Sequence, residues 1–236
     1  MVENRTITVG RHKLEMAFRD GIAPATAYSL LLAENIPELP GQTVVDLGTG
    51  SGFLAIVARL QGAKTVYLLD TYDKAMGLAM ENAERNGVRE GLIHLPIGSE
   101  MVPLPHGERV NLILSNPAQL PLPEAEMENS PFYAGPEGRA MIDPLIREAS
   151  EKLLPSGRLL ITHNSLANLQ KSFDLLESLG FETRIVAEQE IAFRPFIDRK
   201  WLDTLGGSAA GLYHVRDGIA YERLCILEGL KGKKQN

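Results

Sequence analysis

The 236-residue sequence predicts an α/β fold: a doubly wound, mostly parallel seven-stranded sheet with a C-terminal antiparallel strand and a short N-terminal hairpin. Three observations predict it. Apolar runs of strand length alternate with segments whose apolar residues recur at helical spacing, the pattern of parallel strands joined by crossover helices. The first such run passes straight into a glycine turn, DLGTGSGF at 46–53. The last two runs have no helix of normal length between them, so one of them reverses direction.

Taken in order, residues 5–16 (RTITVGRHKLEM) alternate around Gly10 as a hairpin, and a helix over 25–36 ends before Pro37. Residues 43–47 form the first sheet strand, and Phe53, Ile56, Val57 and Leu60 then share one helix face. A strand over 65–70 precedes a helix that Asp73 caps and Asn86-Gly87 closes, glycine suiting the left-handed cap. Strands follow at 92–97 and 110–115. Ile142, Leu145, Ile146, Ala149 and Leu153 mark a helix, and Gly157 turns the chain into a strand at 158–162. Ser165 opens a helix carrying Leu166, Leu169, Phe173 and Leu176, closed by Gly180. Strands at 182–190 and 220–228 flank an irregular stretch. The expected division is residues 1–40, a hairpin and helix covering a ligand site, and 41–236, the main domain.

The formal net charge is −6, against the basic excess that phosphate-based nucleic-acid binding requires. Lys231, Lys233 and Lys234 read as a solvated end. The single cysteine, Cys225, leaves no internal disulfide, and no metal site is expected. No secretory or membrane-spanning run is visible, so the expected location is the cytoplasm, with no membrane partner.

Gly48, Gly50 and Gly52 follow a parallel strand at the end where open sheets bind ligands. One glycine makes a tight turn; three in alternation clear side chains from a ligand's path. The spacing departs from the dinucleotide fingerprint, whose third glycine permits close helix packing; Phe53 holds that place. Asp46, just ahead of the loop, repels a pyrophosphate and attracts an ammonium group. S-adenosylmethionine carries such a group, and Asp70 ends the next strand where an acid accepts from ribose hydroxyls.

The string VVDLGTGSGFLAIVA with YLLD resembles the first motif and next acidic position of class I S-adenosylmethionine-dependent methyltransferases, over about residues 42–190. The resemblance implies a Rossmann-like fold. It implies that Asp46, Gly48, Thr49, Gly50 and Gly52 hold the methionine part and that Asp70 holds the ribose. Ser99 or Glu100 then lies near the adenine, and the seventh strand is antiparallel.

LILSNPAQLPLP at 112–123 places Asn116-Pro117 at the end of the fourth strand. Asn-Pro is a common turn. In this fold it has a second reading: the Asn116 side chain and the Pro117 carbonyl bind an NH2 group and aim its lone pair at a sulfonium methyl, and Asn116 borders the cofactor. The stretch resembles the N-P-P-[YF] motif of methyltransferases acting on amide or exocyclic nitrogens, above all the protein-glutamine methyltransferases of release factors. Ala118 and Gln119 replace the motif's proline and aromatic, removing a stacking surface; either Gln119 hydrogen-bonds a different acceptor, or Phe132, Tyr133 or Phe196 supplies the ring. His163-Asn164 either lines the site or is a loop feature. GIAPATAY (21–28) falls where related enzymes cover the cofactor, and 193–207 is a lid or a packing segment.

The leading expectation is methyl transfer from S-adenosylmethionine to a protein amide or amino nitrogen. A small-metabolite methyltransferase and a non-catalytic partner subunit of the same fold are the alternatives. Charge favours protein or small-molecule acceptors over RNA and DNA.

Overall fold

A computed structural model describes residues 2–98, 100–122, 134–193, 199–207 and 210–233. The chain begins with an antiparallel hairpin, β1 (Val2–Val9) and β2 (His12–Arg19), turned at Gly10 with φ 53°. Helix α1 (Ala27–Glu34) leads into the sheet. Strands β3 (Thr43–Leu47), β4 (Thr65–Leu69), β5 (Leu92–His94) and β6 (Val110–Ser115) are parallel, with α2 (Phe53–Leu60) and α3 (Asp73–Arg85) crossing between the first three. Helix α4 (Ile142–Lys152) runs directly into β7 (Leu153–Asn164), and α5 (Leu169–Ser178) into β8 (Phe181–Ala192). A short helix α6 (Arg199–Thr204) and strand β9 (His214–Arg216) precede β10 (Ile219–Lys231).

The sheet order is β5-β4-β3-β6-β7-β10-β8, with β9 added beside β10. Strand β10 is antiparallel to both β7 and β8, so the predicted reversal belongs to the last strand. The side chains of β3 explain its unbroken apolar run: Val44 enters one core and Val45 and Leu47 the other. The first core contains Leu32 of α1, Ile56 of α2, Ala79 of α3 and Met16 of β2. The second contains Ile142, Leu145 and Ile146 of α4 and Leu176 of α5.

Four predicted details change. Tyr72, with φ −105° and ψ 103°, occupies the N-cap of α3, and Asp73 is the first helical residue. Strand β5 stops at His94. Ser165 opens only a single 3-10 turn through Ala167; Asn168, at φ 54°, then starts α5 and accepts from the Lys171 amide through its side chain. The stretch read as irregular contains α6, β9 and a small apolar cluster of Leu202, Leu212 and Tyr213 with Leu120, Leu122, Leu166 and Ala220. No helix among the described residues is long and apolar enough to cross a membrane.

Candidate functional site

The carboxyl ends of β3, β4 and β6 lie side by side at one end of the sheet, the end where an open α/β sheet binds its ligand. Gly48, Gly50 and Gly52 all have positive φ, at 74°, 52° and 80°. A side chain on Gly48 would meet nothing within 4 Å, and one on Gly50 only Gly48 O and Ile22 Cγ2 at 3.9 Å. These two positions are open to a ligand. Gly52 differs: its missing Cβ would lie 2.9 Å from Ala79 Cα and Cβ of α3. It lets α2 and α3 pack closely, the job that the dinucleotide fingerprint gives to a glycine at the place of Phe53.

Two carboxylates organise the loop from different depths. Asp70, half-buried after β4, accepts from the Gly50 amide at 2.9 Å and from the Tyr72 amide at 2.9 Å. The Leu69 carbonyl accepts from Gly48 and Thr49 beside it. Each Asp70 oxygen keeps a lone pair for a further donor. Asp46 is fully buried, and one oxygen accepts from the Thr49 hydroxyl at 2.7 Å and the Ala55 amide at 3.1 Å. Its other oxygen, Oδ1, is buried with no hydrogen-bond partner among the described residues. Burial pushes the Asp46 carboxyl up to about 7, although the Thr49 and Ala55 bonds pull it down.

The residues present therefore fit a ligand with a cationic head and hydroxyl donors. The loop has space where two side chains are missing, and a buried acceptor stands behind it in want of a donor. Ser99, Phe132, Tyr133 and Phe196 lie outside the described residues; Glu100 is exposed and accepts from Lys152 Nζ at 2.6 Å.

Asn116 follows Ser115, which pairs in register with Leu47 and donates its hydroxyl to the Leu47 carbonyl at 2.9 Å. Asn116 thus stands beside Gly48. Its Oδ1 accepts from the Thr162 hydroxyl at 2.7 Å, and no described residue bonds to its Nδ2. Thr162 in turn accepts from Gln119 Nε2 at 3.0 Å, and Gln119 Oε1 accepts from the Asn164 amide at 2.7 Å. Gln119 also donates to the Pro117 carbonyl at 3.3 Å and is 5% exposed. The residue in the motif's aromatic position is therefore a buried strut that orients Asn116 through Thr162. Sequence reasoning missed Thr162, because only the pairing of β6 with β7 brings it alongside.

Segment 21–28 runs beside the glycine loop. Ile22 lies against Gly50, a Cβ on Gly21 would meet Tyr72 Oη at 3.6 Å, and the Tyr28 hydroxyl donates to Glu222 of β10 at 2.7 Å. The described part of 193–207 packs onto the loop after Asn116-Pro117, with Phe193, Trp201, Leu202 and Leu205 against Leu120 and Leu122.

His163 is a core residue. Its Nδ1–H donates to the Asn164 carbonyl at 2.8 Å, and Nε2 accepts from the Ser172 hydroxyl at 2.9 Å, which is itself bonded by Arg139 at 3.0 Å. Burial holds the imidazole down at about 4, so it stays neutral. Among the described residues, no group of three or more His, Cys, Asp or Glu side chains is arranged to hold a metal.

Comparisons with known proteins place the chain among methyltransferases. The chain is 29% identical over 169 residues to a protein named as an N5-glutamine methyltransferase of Methanocaldococcus jannaschii, covering 70% of this chain and 83% of that one. It is 36% identical over 131 residues to a release factor glutamine methyltransferase of Gloeobacter violaceus, covering 51% of this chain and 45% of the relative. The chain thus spans less than half of that second relative. The Thermus thermophilus 16S rRNA N2 G1207 methyltransferase, solved with AdoMet and guanosine, superposes with a TM-score of 0.60 at 18% identity, over 98% of this chain and 50% of that one. Such a likeness shows the doubly wound fold. The family model described as ribosomal protein L11 methyltransferase (PrmA) matches residues 13–131, half of the sequence, and the chain belongs to that methyltransferase family.

Proposed function

We propose that this methyltransferase uses S-adenosylmethionine to methylate the side-chain amide nitrogen of a protein glutamine. Bound at the carboxyl ends of β3, β4 and β6, the cofactor supplies an electrophilic methyl group on a sulfonium. Gly48, Gly50 and Thr49 would lie along its methionine part, Asp70 would accept from its ribose hydroxyls, and Asp46 would answer its ammonium directly or through a bridging water. Residues 1–40 would cover it, supported by the contact of Ile22 with the glycine loop.

The observation that carries the acceptor assignment is the Asn116 amide, fixed by Thr162 beside Gly48 at the end of β6. Its oxygen and the Pro117 carbonyl each keep a lone pair for the two hydrogens of an NH2 group. Held so, the amide plane is fixed and the nitrogen lone pair stands perpendicular to it, where a methyl group in line with the nitrogen would meet it. Methyl transfer is an in-line displacement, and alignment of this kind supplies much of the rate.

Asn116→Ala is expected to lower turnover by about a hundredfold while leaving S-adenosylhomocysteine affinity within about twofold. Tritiated methyl transfer into a cell extract, separated into protein, RNA and small molecules, tests the acceptor: label in methylated glutamine supports it, and label confined to RNA refutes it. A small-molecule acceptor is the second reading, favoured by the inward turn of Gln119, which leaves this loop without a stacking ring. The net charge of −6 supports placing a protein acceptor ahead of a nucleic acid. A cytoplasmic location belongs to the same proposal, supported by the lone, buried thiol of Cys225.

A further inference from the structure

Helix α3 carries two asparagines one turn apart, Asn82 and Asn86, and both pair with the free edge of β2. Asn86 Oδ1 accepts from the Glu15 amide at 3.0 Å, and its Nδ2 donates to the Glu15 carbonyl at 2.9 Å. Asn82 Oδ1 accepts from the Ala17 amide at 2.7 Å, and its Nδ2 donates to the Ala17 carbonyl at 2.9 Å. Each side-chain amide thus imitates a neighbouring strand, with one helical turn matched to two residues of β2. Asn86 uses its remaining hydrogen inside α3, donating to the Asn82 carbonyl at 2.8 Å, whereas Asn82 reaches the glycine loop. Its second Nδ2 hydrogen goes to the Ser51 carbonyl at 2.9 Å, inside the glycine loop, and Asn82 is fully buried.

The loop has few other restraints on that side. Gly48 and Thr49 are held by the Leu69 carbonyl, Gly50 by Asp70 and Gly52 by the Thr49 carbonyl, while the Ser51 carbonyl takes its hydrogen bond from Asn82. That carbonyl has no water to turn to if Asn82 is removed, because Ser51 is 4% exposed. We propose that Asn82 is a positioning residue for cofactor binding: it sets the glycine loop from behind and couples that setting to the docking of the N-terminal hairpin. The proposal rests on the cofactor reading above.

Two consequences separate this role from plain packing. Removing Asn82 disturbs the loop and the hairpin, whereas removing Asn86 disturbs the hairpin alone. And because coupling between two sites is reciprocal, a ligand that orders the loop must also tighten the hairpin bond made by the same side chain.

The experiment is calorimetric titration of S-adenosylhomocysteine into the full chain and its Asn82→Ala and Asn86→Ala variants, with hydrogen exchange at the Ala17 amide measured with and without ligand. The expected result is an affinity about tenfold weaker in Asn82→Ala, the size of a buried hydrogen bond left unmade, against less than twofold in Asn86→Ala. Ala17 exchange in the unmodified chain should slow on ligand binding. Equal affinity in the two variants overturns the proposal. Should Asn82→Ala not fold, unchanged Ala17 exchange in the ligand-bound chain overturns it instead. No binding by the unmodified chain at the first titration overturns the cofactor reading itself, and this inference with it.

Discussion

Burial takes Asp46 out of water and pushes its carboxyl up to about 7 from an ordinary 3.8, while the Thr49 and Ala55 bonds pull it down and Asp70 adds repulsion. Between those two values the folded chain holds a proton that the unfolded chain has lost. Stability contributed by this group therefore falls as pH rises through the window, and the loss is complete above about 7. Thermal melts from about pH 5 to about pH 8 should show that decline without ligand and lack it in Asp46→Asn, which cannot titrate. Parallel profiles for the two proteins would remove the assignment. The relay behind Asn116 yields a second expectation. Thr162→Val keeps the shape but removes the hydroxyl that fixes the Asn116 amide, so turnover should fall about tenfold with cofactor affinity unchanged. Gln119→Tyr would remove the buried hydrogen bonding of Gln119 to Pro117, Thr162 and Asn164, so it should lower both melting temperature and turnover. A gain of activity in that variant would mean that position 119 faces the acceptor.

The glycine loop shows how one element serves two purposes. On Gly52 an added methyl meets Ala79 at 2.9 Å, whereas on Gly48 it meets open space, and both positions have positive φ. Gly52→Ala should therefore cost about 1–3 kcal/mol in chemical denaturation from overpacking, beyond the backbone strain that the two share. Gly48→Ala should cost less stability and more S-adenosylhomocysteine affinity; the reverse ranking would contradict the division of labour. Strand β3 was legible to the residue in the sequence, because a strand buried on both faces is a continuous apolar run with sharp ends. Strand β5 was overread: it lies at the sheet edge, where Ile93 is exposed and the pattern weakens. The sequence placed Asp46, Asp70 and Asn116 at the carboxyl ends of strands, and there they lie: Asp46 one residue before the end of β3, Asp70 just after β4 and Asn116 just after β6. Their roles toward a ligand belong to the proposal. Thr162, Asn82 and the inward turn of Gln119 were not legible, since each depends on a neighbour far away in the chain.

Across the whole molecule, two large cores clamp the parallel strands, while the third cluster, around Leu202, Leu212 and Tyr213, is small and includes Leu120 and Leu122 of the loop after Asn116-Pro117. Local opening follows burial, so amides there, such as Gly207 bonded to the Leu202 carbonyl, should exchange before those of β3 and β6. Equal protection throughout would show a single cooperative unit. The placing of β10 has a consequence for synthesis. Strands β3 to β6, with the glycine loop, Asp70 and Asn116, are complete once residue 116 has left the ribosome. Strand β8 must wait, because its only sheet neighbour among the described residues is β10, which comes later in the chain. During translation the first strands still await α4, α5 and Thr162 to cover their second face and fix Asn116, and Phe181–Ala192 stays an unpaired edge longest, until the strand destined to lie beside it emerges.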